Sequence, residues 1–345
     1  MHKVIEMSAS EFFVKIGGVI DASQPTETDL IMDASLRRYL SNLSLNGEPL
    51  FETDHGNAQR REACDKLQAI VREWVTKIGK DKGVSDEFLD DGGGAKLYIF
   101  GSQRLGVHNS ASDIDSLCVF PSHVSREDFF TRGVSFLQEC PDISLLLPIP
   151  EAYTPVVKFQ INEYSVDMLM VTLPCQKVPS DLDILDASWL KGQDEQGVRS
   201  LNGPRVAESI LNLVPNQEVY ANALRVIKYW ARQRGLYSNV LGFLGGVNFA
   251  ILVAFVCQRY PNACPAVLVL RFFNLFCQWR WPAPILLAPL DDPSEEGSRL
   301  PLLPVWNPKV DAKDLSHIMP IITPAYPAMN SAYNIGAPQF RLIQE

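Results

Sequence analysis

Apolar and polar positions recur with two different periods along this chain, and the change from one to the other falls near residue 200. Over 57–80, Leu67, Ile70, Val71, Trp74, Val75 and Ile78 form one apolar stripe with Arg, Lys and Glu opposite, which predicts an amphipathic helix. A shorter helix is expected over 36–43. The polar loop that follows the long helix ends in Gly92-Gly93-Gly94, read as a flexible lead into a first strand over 96–100. A partner strand spans 114–120 and a helix spans 125–140. Two β-rich runs, 154–161 and 164–171, flank Asn162 and Glu163 as a hairpin. Beyond residue 200 the texture is helical. Asn202-Gly203-Pro204 reads as a start signal before a helix over 206–214. The helix over 218–234 uses Val219, Leu224, Ile227 and Ala231, with Trp230 beside them, and stops at Gly235; further helices span 247–259 and 264–279. After Trp281 the chain is proline-rich and irregular through Tyr333. No internal repeat is visible.

A length of 345 residues allows two domains, or one large domain with a helical annex. Hydrophobic residues at 46% and charged residues at 21% describe an ordinary soluble globular chain. The net charge of -9 argues against a uniformly basic coat, yet a local basic groove can still bind a strand of nucleic acid. The cysteines Cys64, Cys118, Cys140, Cys175, Cys257, Cys264 and Cys277 form no C-x-x-C pair and are odd in number. They read as reduced, mostly buried thiols of an intracellular protein, without a structural zinc. The stretch Met1 to Ser10 carries Glu6 and lacks an apolar core, so no signal peptide is read there. No charge occurs over 235–258, but four glycines with Asn239 and Asn248 interrupt that run. A buried helix behind a glycine-rich turn is expected, not a membrane span.

Candidate chemistry lies between the first two strands. Phe100-Gly101-Ser102 closes one strand with a tight turn, and Asp113-Ile114-Asp115 opens the next. Two carboxylates one residue apart on a strand share a face, while Ile114 points into the core. In the later apolar strand, Asp167 stands among Val166, Met168 and Leu169, where a lone acid is costly unless something compensates it. Nucleotidyl transfer needs positive charge over the phosphates, and carboxylates that hold divalent ions supply it. Each piece alone is weak: Gly-Ser turns are common, many D-x-D pairs bind nothing, and Asp167 alone could be a strand-edge solvent contact. Their conjunction reads as a metal-dependent nucleotidyltransferase. In the helical half, Lys228 is either a snorkelling lysine or a cation aimed at a triphosphate. Tyr237 and Asn239 offer a ring and an amide to a base, and Gly245-Gly246-Val247 opens a helix with room for close approach.

These residues belong to longer motifs. Phe100-Gly-Ser-Gln-Arg-Leu-Gly-Val-His108 and Ser112-Asp-Ile-Asp-Ser-Leu-Cys-Val119 are followed by Ser200-Leu-Asn-Gly-Pro-Arg-Val206, Leu241-Gly-Phe-Leu-Gly-Gly-Val247 and Met319-Pro-Ile-Ile-Thr-Pro-Ala-Tyr-Pro327. In this order they resemble the eukaryotic nuclear poly(A) polymerases of the DNA polymerase β-like nucleotidyltransferase superfamily, over residues 20–335. The resemblance implies an α/β plus α fold: a palm-like mixed sheet with helices, then a helical middle domain. The expected boundaries are an N-terminal segment 1–55 packing on the middle domain, a catalytic domain 56–199 and a middle domain 200–345. ATP is expected in the cleft between those two domains. The family's ferredoxin-like RNA-binding domain is read as absent, since the chain stops at Glu345.

For the site, the resemblance implies that Asp113, Asp115 and Asp167 bind two Mg²⁺ or Mn²⁺ ions and are catalytic. It assigns nucleotide contacts to Phe100, Gly101, Ser102, Ser112, Ile114, Lys228, Tyr237, Asn239, Gly246 and Val247. Ser102, Lys228 and Tyr237 meet the triphosphate, Asn239 reads adenine, and Gly246 with Val247 forms the floor under the nucleotide. Asn109 matches a nucleotide-contacting position usually held by threonine. Tyr153 and Lys158 match positions near the RNA 3′ end, one able to stack and the other to meet a phosphate. The implied activity is template-independent addition of AMP from ATP to RNA 3′ ends, as in mRNA polyadenylation. The implied setting is a nuclear monomer working with cleavage and polyadenylation factors, away from membranes. Two alternatives remain: another terminal nucleotidyltransferase, such as a uridylyltransferase or an oligoadenylate synthetase, or an inactive RNA-binding scaffold.

Overall fold

Thr26 sets the start of the first helix among the described residues by a reciprocal cap. Asp29 N donates to Thr26 Oγ1 (3.2 Å) and Thr26 N donates to Asp29 Oδ2 (2.8 Å), so two of the donors that a helix start leaves bare are satisfied. The computed structural model describes residues 18–45, 48–291, 293 and 300–345. In chain order its main elements are α1 (Glu27–Ser41), α2 (Asp54–Asp81), β1 (Lys96–Ile99), α3 (Gly101–Arg104), β2 (Ile114–Phe120), β3 (Ile143–Ile149), β4 (Val156–Ile161) and β5 (Tyr164–Thr172). There follow α4 (Glu195–Leu213), α5 (Gln217–Gln233), α6 (Gly246–Arg259), α7 (Pro265–Phe276) and α8 (Ala337–Gln344). The Met1 to Ser10 reading lies outside the described residues, as do residues 1–17 and 46–47 of the segment 1–55.

The chain divides into two compact units. The first comprises the described residues of 46–207 and 299–301, and is built on a five-stranded mixed sheet of order β1-β2-β5-β4-β3. β2 runs parallel to β5 and every other pair is antiparallel. Alternation on β2 and β5 places Ile114, Ser116, Cys118 and Phe120 with Val166, Met168 and Met170 on one face. That face packs against the stripe of α2, where Leu67, Val71, Trp74, Val75 and Ile78 are buried as expected. Trp74 meets Phe120 and Phe129 edge-on in the middle of this core. The 125–140 helix exists, with a π-helical stretch at Phe129–Gly133. There a Cβ on Gly133 would stand 3.0 Å from the Trp74 indole.

Three expectations are corrected by the fold, and one strand goes unpredicted. Gly92–Gly94 is no flexible lead: it is a buried 3₁₀ turn, and a Cβ on Gly94 would lie 2.3 Å from the Val178 carbonyl. Asn202-Gly203-Pro204 does not start a helix but lies inside α4, which begins at Glu195. An internal proline costs about 3 kcal/mol. Packing overrides that cost, because Gly203 lets α4 press on the Phe100 ring, 3.0 Å from where a Cβ would stand. The 36–43 helix is the second half of α1, whose first half leaves the consecutive Leu30, Ile31 and Met32 exposed and so shows no apolar stripe to mark its start. The edge strand β3 has no counterpart in the pattern, because its exposed Leu145 and Leu147 and its Pro148 defeat alternation.

The second unit gathers the described residues of 1–45, 208–298 and 302–345. α5 buries Tyr220, Ala223, Leu224, Ile227 and Ala231, and packs on α6 and α7. α6 is buried from Asn248 through Cys257, in keeping with the charge-free run over 235–258. Among the described residues no helix is long and apolar enough to cross a membrane. α1 lies on α7, where Asp33 Oδ1 accepts from Ala266 N (3.0 Å) and satisfies a donor at that helix start.

Candidate active site

In the first unit, the register of β2 and β5 sets Asp115 directly beside Asp167. Both leave the sheet on the face away from α2. Further along that face Leu117 and Val119 are covered, whereas both aspartates keep part of their surface open. Asp113 stands two residues before Asp115, so one ligand oxygen from each of Asp113, Asp115 and Asp167 falls within 4.8 Å of the others. Three carboxylates so close repel one another, and a hard divalent cation is the ligand that such an all-oxygen set suits.

The glycine turn is fitted against this group. Phe100 N donates to Asp115 O (2.9 Å), which ties the end of β1 to β2. Gly101 then adopts φ 60, and a Cβ there would lie 1.9 Å from Asp115 Oδ2. No other residue permits the turn to sit on the carboxylate. α3 follows at once, and Ser102 Oγ is buried in this turn without a protein hydrogen-bond partner. Beneath the turn, Gln103 Nε2 contacts Cys64 Sγ at 3.8 Å. Burial raises the Cys64 pKa and keeps it a neutral thiol, unsuited to act as a nucleophile.

The loop that delivers Asp113 is locked from within. Ser112 Oγ donates to Asn109 Oδ1 (2.9 Å) and accepts from Asn109 N (3.0 Å), while Asn109 Nδ2 donates to Pro49 O (3.2 Å). The side chains of Asn109 and Ser112 are thereby engaged in shaping the loop, and Asn109 is buried. Ile114 is fully buried in the core, so its side chain faces away from the aspartates. Sequence reasoning misses Arg60. It is 1% exposed and donates from Nη2 to Asn109 O (3.0 Å), with its guanidinium over the Tyr164 ring. Its position seven residues before Leu67, on the buried stripe of α2, is the signal that could have found it.

Lys158 on β4 stands opposite Asp167 on β5 and forms an ion pair with it. Tyr153 is exposed, and the Arg199 guanidinium lies 3.5 Å from its ring centroid while donating to Tyr153 O (2.8 Å).

The second unit holds the other predicted residues. α5 carries Lys228 on a half-buried position and ends before Gly235, which takes φ 70. Tyr237 stacks on Phe249 with ring centroids 5.7 Å apart, and the Arg232 guanidinium lies over the Tyr237 ring. Gly246 opens α6, and a Cβ on it would come 2.8 Å from Tyr237 Oη. Asn248 caps this helix start by accepting from Gly245 N (2.7 Å). Val247 and Asn239 are exposed beside it. The predicted residues thus form two groups, one in each unit.

Two family models match the chain in succession. A family described as "Poly(A) polymerase nucleotidyltransferase domain" matches residues 16–214, and "Poly(A) polymerase central domain" matches 219–345. The chain belongs to the poly(A) polymerase family. It is 45% identical to Nuclear poly(A) polymerase 1 of Arabidopsis thaliana over 94% of its own length and 44% of that protein. With the poly(A) polymerase pla1 of Schizosaccharomyces pombe it shares 42% identity over 92% of the chain and 54% of the relative. The chain therefore spans about half the length, or less, of these curated relatives. Among solved structures it resembles the Cid1 poly(U) polymerase (TM-score 0.59, 12% identity, 92% and 91% of the two chains) and a cytoplasmic RNA terminal U-transferase (0.56, 12%, 91% of each). At that identity the likeness is one of fold: a nucleotidyltransferase polymerase core with a helical middle domain. The fold class read from the sequence holds.

Proposed function

We propose that this chain carries the catalytic part of a template-independent polynucleotide adenylyltransferase, which moves AMP from ATP to an RNA 3′-hydroxyl. The observation that carries the reading is the carboxylate group: Asp115 and Asp167 in register, Asp113 beside them, and Gly101 fitted onto Asp115. The bond that forms joins the 3′-oxygen to the α-phosphorus; the bond that breaks joins that phosphorus to the β-phosphate bridge, and pyrophosphate leaves. Two divalent ions, Mg²⁺ or Mn²⁺, held by the three aspartates would make the 3′-hydroxyl more acidic and offset charge on the phosphates. Ser102 is assigned to a phosphate oxygen, for which its unpartnered hydroxyl is a ready donor. Lys228 and Tyr237 are assigned to the triphosphate and Asn239 to the base. Gly246 and Val247 are assigned to the floor under the nucleotide, with the aliphatic face of Val247 open for it. Asn109 and Ser112 act by holding the loop before Asp113, and Ile114 by anchoring it in the core. Lys158 and Tyr153 are assigned to the RNA 3′ end.

Relatives more than 40% identical and named poly(A) polymerases support adenylyl over uridylyl transfer, since the U-transferases share the fold alone. The printed names of the Arabidopsis relatives also support a nuclear location. A monomer working in mRNA 3′-end processing beside cleavage and polyadenylation factors is part of the same proposal. The test is extension of a labelled oligo(A) primer with each NTP separately, in Mg²⁺ and in Mn²⁺. Extension with ATP, abolished in Asp115→Ala and in Asp167→Ala, is the expected result. Preference for UTP, or turnover retained in either variant, would refute it.

A further inference from the structure

The loop between α5 and α6 is held from a distant part of the chain. Asn239 O accepts from Gly242 N (3.1 Å), which closes a turn, and accepts again from Asn334 Nδ2 (2.5 Å). The same Nδ2 donates to Asn239 Oδ1 (2.9 Å). Gln339 reaches the loop as well, and its Nε2 donates to Leu241 O (3.1 Å). Gly242, at φ 78, lies against both residues: a Cβ there would stand 3.3 Å from Asn334 O and 3.3 Å from Gln339 Cδ.

A backbone carbonyl can only accept, so Asn239 O fixes which end of the Asn334 amide faces the loop: the NH₂. That NH₂ in turn draws Oδ1 of Asn239 toward it and turns the Asn239 NH₂ the other way. Asn334 keeps this orientation although its own Oδ1 is buried without a hydrogen-bond partner. An orphaned acceptor is costly, so the two bonds that Asn334 donates are what set the orientation.

We infer that Asn334 is a specificity-determining positioning residue, which fixes the polarity with which Asn239 meets the base. Locked in this way, Asn239 offers N–H donors and reads an acceptor on the base edge. Released, it can turn over and offer a carbonyl instead, so that bases with a donor at that place compete. This inference rests on the assignment of Asn239 to the base, and it concerns which end of the amide does the reading.

The test is equilibrium binding of ATP and of UTP, each with Mg²⁺ and without RNA, to the wild type, Asn334→Ala and Gln339→Ala, measured by calorimetry. Asn334→Ala is expected to weaken ATP about tenfold, the worth of one well-placed hydrogen bond, and to lower the ATP-to-UTP preference by a similar factor. Gln339→Ala loosens the same loop without freeing the Asn239 amide, and is expected to keep the preference within about twofold of wild type. Asn334→Asp, which replaces the donor with an acceptor, should lose at least as much preference as the alanine. Unchanged preference in Asn334→Ala, or an equal loss in Gln339→Ala, overturns the inference. Thermal melts of each variant identify any that fails to fold, and the remaining Asn334 variant then decides. Primer extension by the wild type tests the adenylyltransferase reading separately, because the binding comparison needs no transfer.

Discussion

Lys158 and Asp167 face each other across neighbouring antiparallel strands, and the lysine ammonium is paired with a carboxylate assigned to bind metal. The same carboxylate cannot serve both cations equally well, so Lys158→Met should tighten divalent metal binding while keeping the aliphatic stem. The lysine side chain is 45% exposed and that of Asp167 26%, so solvent screens the interaction and an effective dielectric well above that of a buried site applies. A single charge acting on a divalent ion over about 5 Å in such surroundings is worth about 1–2 kcal/mol, which corresponds to about 5- to 30-fold in affinity. Loss of the ion pair in the metal-free protein works in the same direction and adds at most about 1 kcal/mol. Mn²⁺ titration followed by the free-ion paramagnetic resonance signal measures the affinity directly, without nucleotide or RNA. The gain should shrink as salt rises. Metal affinity in Lys158→Met equal to or weaker than in wild type would refute the reasoning, since the lysine would then not compete for Asp167.

Gly101→Ala puts a methyl group 1.9 Å from Asp115 Oδ2 at a φ of 60, so primer extension should fall by about 100-fold or more while the melting temperature changes by only a few degrees. Near-normal extension would show that the turn does not need to sit on the carboxylate. Among the cysteines, Cys277 is exposed, whereas burial pushes the thiols of Cys118 and Cys257 up, the latter to about 12. A thiol reagent at pH 8 should therefore label Cys277 first and reach Cys118 and Cys257 only after denaturation, as peptide mapping would record. The Arg126 guanidinium binds Asp194 through two hydrogen bonds and holds its pKa below the ordinary value. Because the folded pKa is depressed, this stabilisation is present above the unfolded pKa of about 4 and is lost as pH falls through the folded value. The difference in melting temperature between wild type and Arg126→Met should accordingly be full at neutral pH and vanish in acid; a difference that persists at pH 2 would contradict this.

The parts of the site that can be read from the sequence are those whose chemistry and period coincide. β2 is predicted with the bounds it has, because Ile114 to Phe120 is largely apolar and Asp113 marks its start. The shared face of its two aspartates follows from alternation alone. Asp167 stands out because an acid inside an apolar strand demands a reason. What the sequence hides depends on partners distant along the chain. Arg60 sits on an apolar stripe, but its acceptors are carbonyls of the 109–110 loop. The bonds that the Asn109 amide makes to Pro49 O and Ser112 Oγ are equally invisible in the sequence. Pro204 looks like a helix start because local propensity favours that reading, and only the packing of Gly203 on Phe100 shows why α4 runs through it.

Glycine carries the sharpest version of this ambiguity. In a sequence, a glycine signals either freedom of the backbone or a missing Cβ that something else occupies, and the two meanings look identical. At Gly83 nothing lies within 4 Å of the absent Cβ, and the residue serves only its positive φ. At Gly101 the space belongs to the Asp115 carboxylate, and at Gly246 to the Tyr237 hydroxyl. Each of these glycines is a neighbour in space of a side chain assigned to the reaction, one in each unit. A substitution there acts by displacing that side chain, not by stiffening a loop. The two classes can therefore be told apart by experiment: alanine at Gly101 or Gly246 should alter nucleotide or metal binding far more than stability, whereas alanine at Gly83 should alter stability alone.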